Sequence, residues 1–150
     1  MIRFIKKIFF LILATSCSNP NYVDAEYFVS ENSKALNFPF SDASIVNNIV
    51  YVSGQIGSEP GTREIVDGGI GVETIQTLNN IEIILNDLGV SSDKIFKCLC
   101  MLKDMNDYSE MNTAYKSFFK NRENLPSRST FAGTGLALGA KIEIECWATF

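Results

Sequence analysis

The chain contains no histidine. That absence excludes Ser-His-Asp and Cys-His nucleophile systems, zincins, His-ligated iron and the Cys₂His₂ finger, all of which need an imidazole. Arginine is scarce: beyond Arg3 there are only Arg63, Arg122 and Arg128. Acid exceeds base, with a net charge of −4 and a pI near 4.8. No nucleic-acid partner is expected of such a chain, because neutralising backbone phosphates takes clustered Lys and Arg. An anion would have to be held at a specific pocket, not by the overall field. No apolar run comes near the roughly 20 residues that span a bilayer. What is left for chemistry is carboxylates, hydroxyls, backbone groups and a few arginines. At 150 residues, with 46% of them hydrophobic, one domain can bury a substantial core.

The first residues read as an address. Arg3, Lys6 and Lys7 form a basic start, Ile8 to Ala14 an apolar block, and small residues lead to Cys17. The expectation is a signal peptide over residues 1–16. The run Ala14-Thr15-Ser16-Cys17 resembles a bacterial lipobox, although Leu13 sits one place further from the cysteine than the pattern asks. This favours lipidation of Cys17 and a membrane-anchored lipoprotein facing the periplasm, with a soluble periplasmic or secreted protein as the alternative. Residues 17–26, with Asn19-Pro20-Asn21, then form a tether, and residues 27–150 the folded domain.

Patterning along the domain is clear in places. Strand-like sequence begins at Tyr27. Ile45-Val46, Asn47-Asn48 and Ile49 to Val52 predict a hairpin, because Asn tolerates the positive φ of a tight turn. Gly, Pro and polar residues make 58–69 a loop. Over 71–89, Val72, Ile75, Leu78, Ile81, Leu85 and Leu88 recur at helical spacing, with Glu73, Gln76, Asn79, Asn80 and Glu82 on the other side and Gly89 as the stop. Residues 94–102 predict a strand. A second helix spans about 108–120, its stripe Tyr108, Met111, Tyr115, Phe118 and Phe119, with Asp107 and Glu110 as a capping box. Strands at 129–132 and 141–150 close the chain. The order ββ-α-β-α-ββ gives an α+β fold, a mostly antiparallel sheet with two helices on one face. Gly69-Ile70-Gly71 resembles only the start of a phosphate loop and lacks its third glycine.

The last strand places Lys141, Glu143, Glu145 and Trp147 on one face and Ile142, Ile144, Cys146 and Ala148 on the other. The apolar set belongs under the helices. The charged set reads either as a solvated surface or, since it includes Trp147, as a face covered by an oligomer interface or cleft. Arg128, stiffened by Pro126 two residues earlier, reads as a surface arginine paired with Glu143 or Glu145, or as a fork for a carboxylate. Cys98, Cys100 and Cys146 make a poor metal set without histidine. They are read as small buried side chains, with one disulfide left open.

Five segments in one order carry a resemblance: Tyr51 to Ile56 (YVSGQI), the helix 73–85, Asp107-Tyr108 through Asn112, Pro126-Ser127-Arg128-Ser129, and Lys141 to Glu145 (KIEIE). Over 38–147 the chain resembles the RidA (YjgF) family. The resemblance implies a chorismate-mutase-like subunit, assembled as a homotrimer with a pocket at each subunit interface, and no metal or organic cofactor. It implies hydrolysis of reactive 2-enamine or 2-imine carboxylates, such as 2-aminoacrylate, to 2-keto acids and ammonia. By motif, Arg128 would clamp the substrate carboxylate and Glu143 would position or activate water. The backbone at Thr130 would hold that water or the imine nitrogen, with Ser53, Asn112 and Phe40 lining the pocket. Phe38-Pro39-Phe40 stands where catalytic members carry a Gly-Pro-Tyr type element, so Phe40 keeps the shape of a tyrosine without its hydroxyl. Residues 131–139 also differ from the best-studied deaminases. The alternatives with the same fold are a non-catalytic carboxylate-binding module and a trimeric interaction scaffold.

Overall fold

Asn47 and Asn48 take φ of 50° and 62°, a two-residue turn whose twist matches that of the strands it joins. Around this hairpin the computed structural model describes residues 24–133 and 135–150. The expected signal peptide and Cys17 lie outside the described residues. In chain order the elements are β1 (Glu26–Phe28), α1 (Glu31–Leu36), β2 (Ala43–Val46), β3 (Ile49–Ile56), α2 (Gly69–Asp87), β4 (Ile95–Leu102), α3 (Tyr108–Phe118), β5 (Ser127–Ala132) and β6 (Ile142–Thr149). The six strands form one sheet in the order β1-β2-β3-β6-β4-β5. Every pairing is antiparallel except β4 with β5. The parallel pair needs a long crossover, which α3 supplies. The α+β fold read from the sequence is the fold observed, and its two longer helices lie on one face of the sheet.

The register fixes what each face carries. Val50 and Val52 on β3, Cys98, Cys100 and Leu102 on β4, and Ile142, Ile144, Cys146 and Ala148 on β6 are all buried in one cluster. They meet Leu78, Ile81, Ile84 and Leu85 of α2 and Met111 and Tyr115 of α3. Each large aliphatic side chain there contributes about 1.5–3 kcal/mol by leaving water. The opposite face, which no helix covers, carries Tyr51, Ser53, Glu143, Glu145 and Trp147. Tyr51 and Phe96 both pack edge-on to Trp147, at 5.2 and 6.4 Å between ring centroids.

Several local expectations change. The buried face of α2 is Ile70, Glu73, Thr74, Thr77, Leu78, Ile81, Ile84 and Leu85, rotated from the purely apolar stripe, so that Val72 is exposed. Glu73 and Asn80, read as outward, are buried. Each replaces water with backbone partners. Glu73 Oε1 accepts from the N–H groups of Lys141 (2.6 Å) and Ile142 (3.2 Å). Asn80 donates to the carbonyls of Ile56 and Ser58.

The capping box at α3 does not form. Asp107 is already helical in φ/ψ and makes no side-chain cap, because it is the last residue of a 3₁₀ turn at 105–107 that Asp104 caps. The six-residue α1, capped by the Ser30 side chain, has too few turns to show a period. Cys98 and Cys146 form a disulfide across β4 and β6, the alternative left open by the sequence. Cys100 is a free, buried thiol, the small buried side chain expected of it.

Candidate active site

A cleft of about 510 Å³ opens beside the ends of β3 and β6, lined among others by Phe38, Phe40, Ser53, Arg63, Leu138 and Glu143. Its floor depends on a bulge. The β3–β6 register shifts between Val52 and Gln55, which turns the SGQ segment under the Glu143 side chain. A Cβ at Gly54 would lie 2.1 Å from Glu143 Oε1, so a larger residue there would displace that carboxylate. A second tie fixes the segment 38–42. Asp42 is buried and accepts from Ser33 Oγ (2.6 Å) and the Ser30 N–H (2.7 Å). The Asp42 carbonyl in turn accepts from the Ser53 N–H at 2.8 Å. The Ser53 hydroxyl donates to the Ser41 carbonyl (2.7 Å), so it holds the wall in place and has its proton committed.

Glu143 is half-buried. Burial, and then the negative charge of Glu145, raise its pKa above the ordinary carboxylate range. Glu145 is itself engaged, accepting from Trp147 Nε1 at 2.6 Å. Among the described residues the one ion pair is Lys34 with Glu31, and none of their cations pairs with Glu143. A carboxylate raised by desolvation and a like charge, and facing a cleft, has the profile of a general base.

Arg128 lies elsewhere. Its Cα pairs with Cys98 and that of Thr130 with Cys100, which places both on the helix-facing side of edge strand β5. The guanidinium stacks 4.7 Å from the Tyr115 ring centroid and donates to Asn112 Oδ1, with Met111 Sδ and Tyr108 Oη at 3.6 and 3.5 Å. A guanidinium has five donors in a planar fork, and these contacts orient it without supplying a carboxylate. Nearby, the buried hydroxyls of Tyr115 and Thr130 have no hydrogen-bond partner among the described residues. Burial also pushes the Cys100 thiol up to about 11, against a smaller lowering by Arg128.

The structure therefore sorts the residues singled out from the sequence into two groups. Phe40, Ser53 and Glu143 share the cleft; Arg128, Asn112 and Thr130 share the α3–β5 seam. Glu143 pairs with Met101, and Met101 with Phe131. Arg128 is thus two strands and three residues from Glu143, a Cα separation of roughly 14 Å from ordinary sheet spacings, with the side chains on opposite faces. The surface pairing of Arg128 with Glu143 or Glu145 is excluded by this register. Asp42, Arg63 and Leu138 were not singled out as site residues. Leu138 adopts φ 55°, which only the neighbouring Gly139 hinted at. Asp42 is an isolated acid in a polar run and carries no pattern.

These features define a class: an α+β subunit whose uncovered sheet face bears a small-molecule cleft with an unpaired carboxylate at its floor. Comparison with known proteins narrows it. Residues 31–150 match the family model described as Endoribonuclease L-PSP. The human 2-iminobutanoate/2-iminopropanoate deaminase is 37% identical over 110 residues, 73% of this chain and 79% of that protein. Reactive Intermediate Deaminase A, chloroplastic, of Arabidopsis thaliana is 36% identical over 140 residues, 93% of this chain and 72% of that one. A crystal structure of the Rid family protein YyfA from Yersinia pestis superimposes with a TM-score of 0.77 at 34% identity, covering 85% of this chain and all of that one. The chain belongs to the RidA (YjgF) family.

The same comparisons correct the expectation of an exported, lipid-anchored protein, whether a periplasmic lipoprotein or a soluble periplasmic one. The human relative is named as a 2-iminobutanoate/2-iminopropanoate deaminase, with no mention of export, and the Arabidopsis thaliana deaminase is named as chloroplastic. Its match spans 140 residues of this chain and so extends into the segment read as a signal peptide. No helix among the described residues is long and apolar enough to cross a membrane. The physical reason for the misreading is that a basic start and a short apolar block are shared by several kinds of terminal segment and specify no destination.

Proposed function

We propose that this protein hydrolyses small reactive 2-enamine and 2-imine carboxylates to 2-keto acids and ammonia, as a homotrimer whose sites combine residues of two subunits. The observation that carries this reading is the unpaired Glu143 carboxylate over Gly54, held in a cleft with its pKa raised. The names of the relatives, 2-iminobutanoate/2-iminopropanoate deaminases, support the reaction type. The chemistry asks little of the protein. An imine carbon is already electrophilic, so orientation, one base and one charged anchor suffice.

Arg128 would grip the substrate carboxylate through the donors that Asn112 leaves free. Glu143 would take a proton from water as its oxygen bonds to the imine carbon. That proton passes to nitrogen, and the resulting carbinolamine expels ammonia as its hydroxyl becomes the keto oxygen. The balance is one imine and one water in, one keto acid and one ammonia out, with no change in oxidation state. The backbone at Thr130 would hold the water or the imine nitrogen, and Phe40 would supply the wall. No metal or organic cofactor enters these steps. Because Arg128 and Glu143 occupy opposite faces within one subunit, their cooperation calls for a neighbouring copy. The open aromatic face of Tyr51, Phe96 and Trp147 is the surface available for it.

The test follows imines generated in situ by an amino-acid oxidase, monitored as loss of imine and release of keto acid. Wild-type protein should accelerate both. Arg128→Ala removes a charge-assisted anchor worth about 1.5–3 kcal/mol per hydrogen bond, so kcat/KM should fall by at least tenfold. No acceleration by the wild-type protein, with keto-acid binding that still needs Arg128, would instead establish a binding module. That competing reading is favoured by Phe40, which offers no hydroxyl to the reaction.

A further inference from the structure

The cleft has an aromatic wall that its reacting residues do not require. Phe38 and Phe40 stack nearly parallel, with centroids 5.3 Å apart and an interplanar angle of 11°. The Arg63 guanidinium sits 5.4 Å from the Phe38 centroid and is fixed there by donating to the Leu36 carbonyl at 2.8 Å. Three planar groups are thus packed together at the cleft margin. Phe40 remains 49% exposed and Leu138, across the same cleft, 55% exposed. Leu138 is held at φ 55°, a conformation that L side chains with a γ-branch rarely adopt. Large apolar groups held toward a cleft beside Glu143 form a surface against which an apolar part of a ligand can pack.

From this geometry we infer that the cleft is built for 2-imino acids with aromatic side chains, which would lie against Phe40 and Leu138 while the imine carbon meets Glu143. The inference rests on the deaminase reading and adds the substrate class. A small substrate such as 2-iminopropanoate leaves both side chains wet. An aryl group covers them and extends the Phe38–Phe40 stack in the offset or edge-on geometry that aromatic rings prefer. Arg63 holds Phe38 in place and keeps the wall planar.

The experiment compares imines made in situ from phenylalanine and alanine, with kcat/KM measured for each. Wild-type protein should prefer the phenylalanine-derived imine by about tenfold or more, the scale on which apolar pockets discriminate. Phe40→Ala should lower that ratio by about tenfold, and Phe40→Leu, which keeps the bulk without the ring, should lower it less. Arg128→Ala should depress both substrates together and leave the ratio. A wild-type ratio at or below one, or a ratio unmoved by Phe40→Ala in folded protein, overturns the inference. Binding separates it from the reaction itself. If no imine is hydrolysed, the deaminase reading falls, but phenylpyruvate should still bind about tenfold more tightly than pyruvate by calorimetry and lose that advantage in Phe40→Ala. Equal or weaker phenylpyruvate binding would overturn the aromatic subsite by itself.

Discussion

Glu143 and Glu145 stand two residues apart on one strand and point to one face, yet they do different work. Glu145 is occupied by the Trp147 indole, while Glu143 faces the cleft and carries the raised pKa. Burial is the larger cause and the Glu145 charge the second. If Glu143 is the base, activity needs its ionised form, so the rate rises with pH through its pKa. Glu145→Gln keeps the indole partner and removes the like charge. The acid limb of the pH–kcat/KM profile should then move to lower pH, with the plateau nearly unchanged. A limb that stays in place would show that Glu145 does not act on the base. Cys100 offers a second measurement at this scale. With its thiol pushed up to about 11 by burial, it should resist a thiol reagent at neutral pH in the folded protein and react once the chain is unfolded.

Among the elements, β6 is the strand on which both halves of the molecule depend. Its inner face carries Ile142, Ile144, Cys146 and Ala148 into the core, and its outer face carries Glu143 to the cleft. Its start is held by Glu73, which accepts two successive backbone N–H groups through one oxygen. Glu73→Gln retains that acceptor and should be tolerated, whereas Glu73→Leu leaves the buried Ile142 N–H without it, at about 1–3 kcal/mol, and hands the part-buried Lys141 N–H to water. Denaturant melts of the two variants should separate by that margin.

The Cys98–Cys146 disulfide ties β6 to β4 across 48 residues of chain, about 4 kcal/mol in chain-entropy terms. Alkylation of the unfolded, unreduced chain should modify two of its four cysteines, Cys17 and Cys100, and all four only after reduction. Modification of all four without reduction would rule the bridge out. The helix periods and the hairpin turn were legible because they are local. The Glu73 anchor was not, since a glutamate on a helix reads as outward until the strand it caps, 68 residues away, is brought to it.

For the whole molecule, the separation of Arg128 from Glu143 has a consequence that one subunit alone cannot show. If each site takes its arginine from one copy and its carboxylate from another, Arg128→Ala and Glu143→Gln subunits complement each other. Unfolded together in equal amounts and refolded, they should regain roughly a quarter of wild-type activity, the fraction of mixed interfaces that carry both native residues. Each variant refolded alone should stay near the uncatalysed rate. Absence of recovery in mixed, folded oligomers would place both residues in a single subunit's chemistry and refute the shared site.

By itself the sequence determined the class of fold, the hairpin and the positions of two long helices, and its motifs singled out Arg128 and Glu143 through their resemblance to the RidA family. Those follow from periodicity, from turn residues and from motifs short enough to be read along the chain. Only the tertiary structure decided which faces those residues share. The parallel return of β5 beside β4 sends Arg128 under the helices, and the antiparallel register of β6 sends Glu143 to the open face. That outcome depends on strand order and register, which are set by the burial of the whole core, so no local pattern records it.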